Sequence, residues 1–208
     1  LTGFTTGTWV SGGYKGGAIN FGTDTSVQIA DSPVLDVSYV TVSAWVYKNA
    51  LVTTYGQIVS RQSGTGSADS WALYYRNDAA DSYTFNTGPG GALRGGSSTE
   101  DVGRWVQITG TYDGSTQRLY KNGILVSTDA VSGAIAAETS HLCIGAGAND
   151  ATRNCSSEFG NAMIDEVRVF NVALSSSEVL AMYQMDTLSA HNRGKAYNVH
   201  YSTDAGAT

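Results

Sequence analysis

Residues 105–122, WVQITGTYDGSTQRLYKN, run through Gly123 into ILVST, and this stretch decides the fold. Trp105, Gln107, Thr109 and Thr111 alternate with Val106, Ile108 and Gly110. That is the period of a strand whose two faces meet different surroundings. Asp113-Gly114 is a turn signal. Asn122-Gly123 lies between RLYK and ILVS. This dipeptide favours a type I′ hairpin, because both central residues of that turn need positive φ.

The same alternation recurs outward from this stretch. VTVSAWVY at 40–47, QIVS at 57–60, WALYYR at 71–76 and MIDEVRVFN at 163–171 read as strands. GGAINFG and SVQIAD read as a first strand pair, and HLCIGAG as a later strand. Residues 86–103, rich in glycine, read as a long loop, and 147–160 as another. One helix is predicted at 175–184. Ser175 caps it, and Glu178, three positions on, reaches back to complete a capping box. Strands spaced this way with turn chemistry between them predict an all-β fold, a two-sheet antiparallel sandwich with one short C-terminal helix. A single domain is expected over 1–185. Residues 186–208 extend it as an edge strand (AYNVHYS) or a linker.

Composition narrows the partners. The chain has 208 residues, 25 glycines and only two prolines, which suits many tight turns. Its formal net charge is −6 and its twelve Lys and Arg are scattered. Nucleic acid is therefore excluded as an expected partner, since phosphate binding needs clustered cations. No apolar run approaches the roughly 18 residues of a membrane helix, so no membrane insertion is expected. Cys143 and Cys155 flank the polar stretch IGAGANDATRN. They are either two free thiols or a disulfide. An even pair around a polar loop in a chain only 14% charged points to the bridge, and with it to a secreted, extracellular location.

In WALYYR, alternation separates Trp71, Leu73 and Tyr75, expected in the core, from Ala72, Tyr74 and Arg76, expected to face out. Sugars offer apolar faces and hydroxyl edges, so an aromatic platform beside polar donors suits them. Tyr74 and Arg76 are the candidate platform. Tyr83, Asn86 and Arg61 come from neighbouring segments, and Asn149, Asp150 and Arg153 from the loop at one rim. Trp45 and Trp105 are expected in the core.

Four segments, in order, resemble laminin-G-like jelly rolls of the concanavalin A-like lectin/glucanase superfamily. They are GGAINFGTDTSVQIAD, VTVSAWVY, RWVQITGTYDGSTQRLYKNGILVST and NAMIDEVRVFNVALSSSEVLAMY, together spanning residues 16–185. The resemblance implies a jelly-roll sandwich and a mostly non-catalytic, lectin-like carbohydrate-binding module of a larger secreted enzyme or adhesin. A protein-interaction or adhesion module of the same fold is the alternative. It also implies a structural Ca2+ near Asp24 and Asp165, with Asn20 as a further oxygen donor; an unpaired inward carboxylate at such a site would need a cation. Related glucanases use E-x-D-x-x-E and related lyases use Q-x-H, and neither occurs here. Glu100, Glu138, Glu158, Glu166 and Glu178 stand apart in sequence. A polysaccharide-degrading enzyme is therefore the least favoured reading.

Overall fold

A computed structural model describes residues 4–5, 7–52, 55–62, 70–76, 81–148 and 152–191. In chain order the strands are β1 (Phe4–Thr5), β2 (Thr8–Gly13), β3 (Gly16–Phe21), β4 (Ser26–Ile29), β5 (Val40–Lys48), β6 (Tyr55–Ser60), β7 (Trp71–Arg76) and β8 (Tyr83–Thr87). There follow β9 (Gly91–Gly95), β10 (Trp105–Tyr112), β11 (Thr116–Lys121), β12 (Ile124–Ala130), β13 (Leu142–Ile144), β14 (Gly147–Ala148), β15 (Cys155–Ser157) and β16 (Ala162–Phe170), then helix α1 (Ser176–His191). One seven-stranded sheet has the order β1-β4-β13-β6-β7-β8-β9, and a second has β12-β11-β10-β5-β16-β3-β2. Every pairing between named strands is antiparallel, and the two sheets pack as a jelly-roll sandwich.

The hairpin chemistry reads through directly. Asn122 and Gly123 have φ of 53° and 76°, the two positive values a type I′ turn requires. The Asn122 side chain ties the turn to β10 by accepting the Gln107 N–H at 2.9 Å. Alternation then sorts the faces. Val40, Val42, Ala44 and Val46 of β5 and Val106, Ile108 and Tyr112 of β10 enter the core, where they join Leu73, Tyr75 and Phe85 of the facing sheet. Gly110 permits that contact: a Cβ there would lie 2.3 Å from the Phe85 ring. Each of these large apolar side chains contributes about 1.5–3 kcal/mol on burial. Lys48 ends β5 inside this core, its ammonium 5.1 and 5.2 Å from the ring centres of Tyr75 and Tyr83. Burial pushes its pKa down to about 8.

Four expectations change. GGAINF and SVQI do not pair: β3 and β4 lie in opposite sheets, so the chain crosses the sandwich between them. The 86–103 loop contains a strand, β9, which completes the sheet edge beside β8. Helix α1 runs to His191, well past 184, because its later turns bury a carboxylate against the sheet. Trp45 is buried, yet outside the sandwich interior. It shares the outer face of its sheet with half-buried Trp105 and stacks between Tyr14 and Tyr183, with ring centres at 3.3 and 5.6 Å. The edge strand proposed at AYNVHYS falls outside the described residues.

The contact that holds α1 is Asp186. Trp45 donates its indole N–H to Asp186 Oδ2 at 3.0 Å, and Arg168 makes a two-pronged pair with the carboxylate at 2.7 and 2.8 Å. The capping box at the helix start forms as read: Ser175 N–H donates to Glu178 Oε2 at 2.7 Å.

Candidate functional site

The outer face of the first sheet carries the site. Cross-strand register aligns Gln57 of β6, Tyr74 of β7, Thr84 of β8 and Arg94 of β9 in one row. The next row holds Ser60, Ala72, Asn86 and Ala92. Side chains in such rows share a face and touch. At the β6 end the sheet surface opens into a pit of about 40 Å³ lined by Tyr55, Gln57, Gln62, Tyr74 and Glu158. Tyr55 and Tyr74 meet edge to face at 5.8 Å, and the Arg76 guanidinium sits 4.9 Å from the Tyr55 ring centre.

The polar groups of the pit and of the sheet face beside it are held by their partners. Gln57 donates from Nε2 to Glu158 Oε2 at 2.6 Å, which leaves its own Oε1 buried without a donor. Asn86 donates from Nδ2 to Gln62 Oε1 at 3.1 Å, and its Oδ1 is likewise without a donor. Thr84 Oγ1 has no partner either. Buried polar groups are normally satisfied, so three orphans on one face need an explanation. Burial pushes the Glu158 carboxyl above the ordinary glutamate range, and the Gln57 donor offsets part of that rise.

Glu158 is placed by backbone as well. Gln57 N–H donates to the Glu158 carbonyl at 3.1 Å. Gly160 lies so close to β6 that a Cβ there would approach the Gln57 carbonyl oxygen to 2.6 Å. Glu158 itself has φ of 47°, a conformation that non-glycine residues hold only when their surroundings impose it. The start of its segment is tied by the disulfide between Cys143 and Cys155, whose Cα atoms are 5.4 Å apart. Cys143 lies on β13, the neighbour of β6.

The residues singled out from sequence divide accordingly. Tyr74 lines the pit, Asn86 lies outside its lining but holds the lining residue Gln62, and Arg76 packs on the Tyr55 ring. Tyr74 is only 7% exposed, so it is a wall packed on Tyr55 rather than an open platform. Tyr83 points into the core and donates its hydroxyl to Asp101 at 3.0 Å; the residue pairs with Tyr75, whose ring is interior. Arg61 is fully buried in a structural clamp, donating to Asp31, Asp36 and the carbonyls of Leu35 and Glu138 at 2.6–3.0 Å. An arginine so enclosed by oxygens has no free face for a ligand. Arg153 joins the same clamp through Glu138 at 3.1 Å. Asn149 and Asp150 fall outside the described residues. Tyr55, Gln57, Gln62, Thr84 and Glu158 escaped the sequence reading. The available signal was Gln57, a polar residue directly before Ile58 and Val59, which enter the core.

The expected calcium ligands do not converge. Asp24 is exposed in the turn after β3, whereas register places Asp165 beyond the Ile19–Ile164 pair, toward the other end of β3. Asp165 faces outward, and both its oxygens accept backbone N–H groups, from Lys15 at 2.7 Å and Glu166 at 2.8 Å. Asn20 accepts from Asn49 at 2.8 Å. Among the described residues no three His, Cys, Asp or Glu side chains gather as a metal site. Asp24, Asp165 and Asn20 therefore do not fit one shared ion. Asp165→Ala should lower the melting temperature by the same amount in calcium as in chelator. A loss seen in calcium alone would restore Asp165 as a ligand.

The family model for Laminin_G_3, described as the concanavalin A-like lectin/glucanases superfamily, matches residues 21–180, and the chain belongs to that family. No curated protein sequence matches the chain. Among solved structures, the binding domain of Paraclostridial Mosquitocidal Protein 1 superposes with a TM-score of 0.68 at 14% identity, covering 88% of this chain and 46% of that one. Domain 4 of AbnA, a GH43 extracellular arabinanase from Geobacillus stearothermophilus, solved with arabinotriose, gives 0.64 at 18% identity and covers 86% and 82%. A putative carbohydrate binding protein from Bacteroides ovatus gives 0.61 at 19% identity and covers 78% and 45%. The chain thus spans under half the length of the first and third of these. At such identities the likeness is one of fold.

Proposed function

We propose that this domain is a non-catalytic carbohydrate-binding module of a larger secreted protein, and that it grips its glycan at the pit bounded by Tyr55, Tyr74, Gln57 and Glu158. The observation that carries this reading is the buried, unpaired Gln57 oxygen beside two tyrosines in the pit, with unpaired Thr84 and Asn86 oxygens on the same sheet face. Sugar hydroxyls are the donors such atoms lack, and tyrosine rings accept the sugar's C–H faces. The family and the fold of the neighbouring structures support the same class.

The carboxylate count speaks against chemistry. Glycoside hydrolysis needs two carboxyls flanking one bond, roughly 5–9.5 Å apart. Glu158 is the one carboxylate lining the pit among the described residues. A shallow site of this kind binds weakly, because few rigid contacts offset the ordering of ligand and loop. Attachment to a larger enzyme or adhesin supplies avidity.

Tyr55 is half-buried at the mouth, so it can be removed without opening the core. Tyr55→Ala is expected to weaken glycan binding about tenfold, matching the roughly 1.4 kcal/mol of one aromatic contact. The check is titration calorimetry on the wild-type domain and the variant, with circular dichroism to verify the fold. Unchanged affinity would move the site elsewhere. Release of reducing or unsaturated sugar by the purified domain would overturn the non-catalytic reading.

A further inference from the structure

The pit also carries information about which sugars it takes, and this step rests on the carbohydrate-binding reading above. We infer that the pit accepts the hydroxyl edge of a neutral sugar and rejects uronic and sialic acids.

Size comes first. A pit of about 40 Å³ has room for a few waters at most, so it admits a hydroxyl or hydroxymethyl group rather than a sugar ring. The ring must stay outside, against the mouth formed by Tyr55, and present one edge inward.

The chemistry of the walls then decides what that edge can be. Both amides are fixed by their partners. Gln57 points its nitrogen at Glu158 and Asn86 points its nitrogen at Gln62. In the pit wall the atom without a donor is therefore the carbonyl oxygen Gln57 Oε1, and Thr84 Oγ1, in the Gln57 row, and Asn86 Oδ1, in the next, are further unpaired oxygens on the same sheet face. These are acceptors beside a carboxylate. They call for O–H donors, and a neutral sugar edge supplies them. A sugar carboxylate placed there supplies none and would meet Glu158 as a like charge at close range.

The cations on this face do not reverse the argument. Arg76 holds its guanidinium over the Tyr55 ring. Arg94 is exposed on β9, two strands away from Tyr74 across the row. Neither lines the pit.

The test uses the domain as it stands and matched pairs of probes: galactan against polygalacturonate oligomers, and lactose against sialyllactose, with arabinan and xylan fragments added to the neutral set. The expected result is measurable binding within the neutral set and at least tenfold weaker binding of each acidic counterpart. Glu158→Gln keeps the shape and removes the charge, and is expected to cut that preference severalfold. Should Glu158→Gln fail to fold, Gln57→Met serves instead. It keeps the side-chain length and removes both the acceptor and the donor to Glu158, and is expected to lower neutral-sugar binding at least tenfold. Preferred binding of an acidic glycan, or a neutral preference untouched by either change, would overturn the selectivity while leaving the carbohydrate-binding reading intact. No binding in either set would overturn that reading itself.

Discussion

Asp186→Ala should lower the stability of this domain by about 3 kcal/mol, the low end for breaking a buried ion pair. The carboxylate is 2% exposed and answers to four groups at once: Trp45, Gln107, Arg168 and, at 3.9 Å, Lys15. Its removal leaves the Trp45 indole N–H and the Gln107 amide donor buried beneath α1 with no acceptor. Arg168 softens the loss, because its side chain keeps 25% exposure and can turn to water or to Glu166. The same contact sets an acid response. Burial alone would raise the Asp186 pKa, but the Arg168 and Trp45 hydrogen bonds, with the Arg168 and Lys15 charges, outweigh it and hold the group below the usual aspartate range. A depressed folded-state value means that the unfolded chain takes up the proton first. The contribution is therefore full above about pH 4, the ordinary aspartate value, and falls away as the pH drops through the folded-state value. Urea titrations of wild type and Asp186→Ala at pH 7 and near pH 3 check this. The difference between the two proteins should shrink on acidification, and a difference that stays constant would refute the assignment.

Reduction of the Cys143–Cys155 bridge is expected to have the second large effect, and on two observables. The bridge closes a loop with a sequence separation of 12, and releasing such a loop in the unfolded chain costs about 3 kcal/mol. It also anchors the segment that delivers Glu158 to Gln57, so glycan affinity should fall with it. A Cys143→Ser, Cys155→Ser double variant separates the two losses. Measured at a temperature where the variant is still folded, it should bind more weakly than wild type. Equal affinity would show that Gly160 and the Gln57–Glu158 backbone bond hold the segment unaided. Labelling of two thiols in the denatured, unreduced protein would refute the bridge itself.

How much of this was legible beforehand depended on the range of the physics involved. Strand alternation, the Asn122-Gly123 turn and the Ser175–Glu178 capping box are local: each is decided by side chains within a few residues, and each appears as read. The Cys pair also came through, because two cysteines flanking one loop leave a single internal pairing. The face carrying the candidate site was half legible. Alternation in WALYYR put Tyr74 and Arg76 opposite Trp71 and Tyr75, and that division holds. Failures came where a residue's meaning lay in another sheet or a distant loop. Tyr83 falls on the interior side of β8 through its register with Tyr75, and Arg61 is enclosed by oxygens from 25 to 77 positions away. Asp24 and Asp165 separated for the same reason, since register between β3 and β16 has no signature in either strand alone.

The amino-acid sequence by itself determined the class of fold, its turns and the helix cap, because periodicity, turn propensity and capping act along the chain over a few residues. The site was decided only by the tertiary structure. Gln57 and Glu158 are 101 positions apart, and what joins them is a sheet register, a glycine close approach and a disulfide. The chemistry of the pit follows from which amide nitrogens those contacts occupy and which oxygens they leave unpaired.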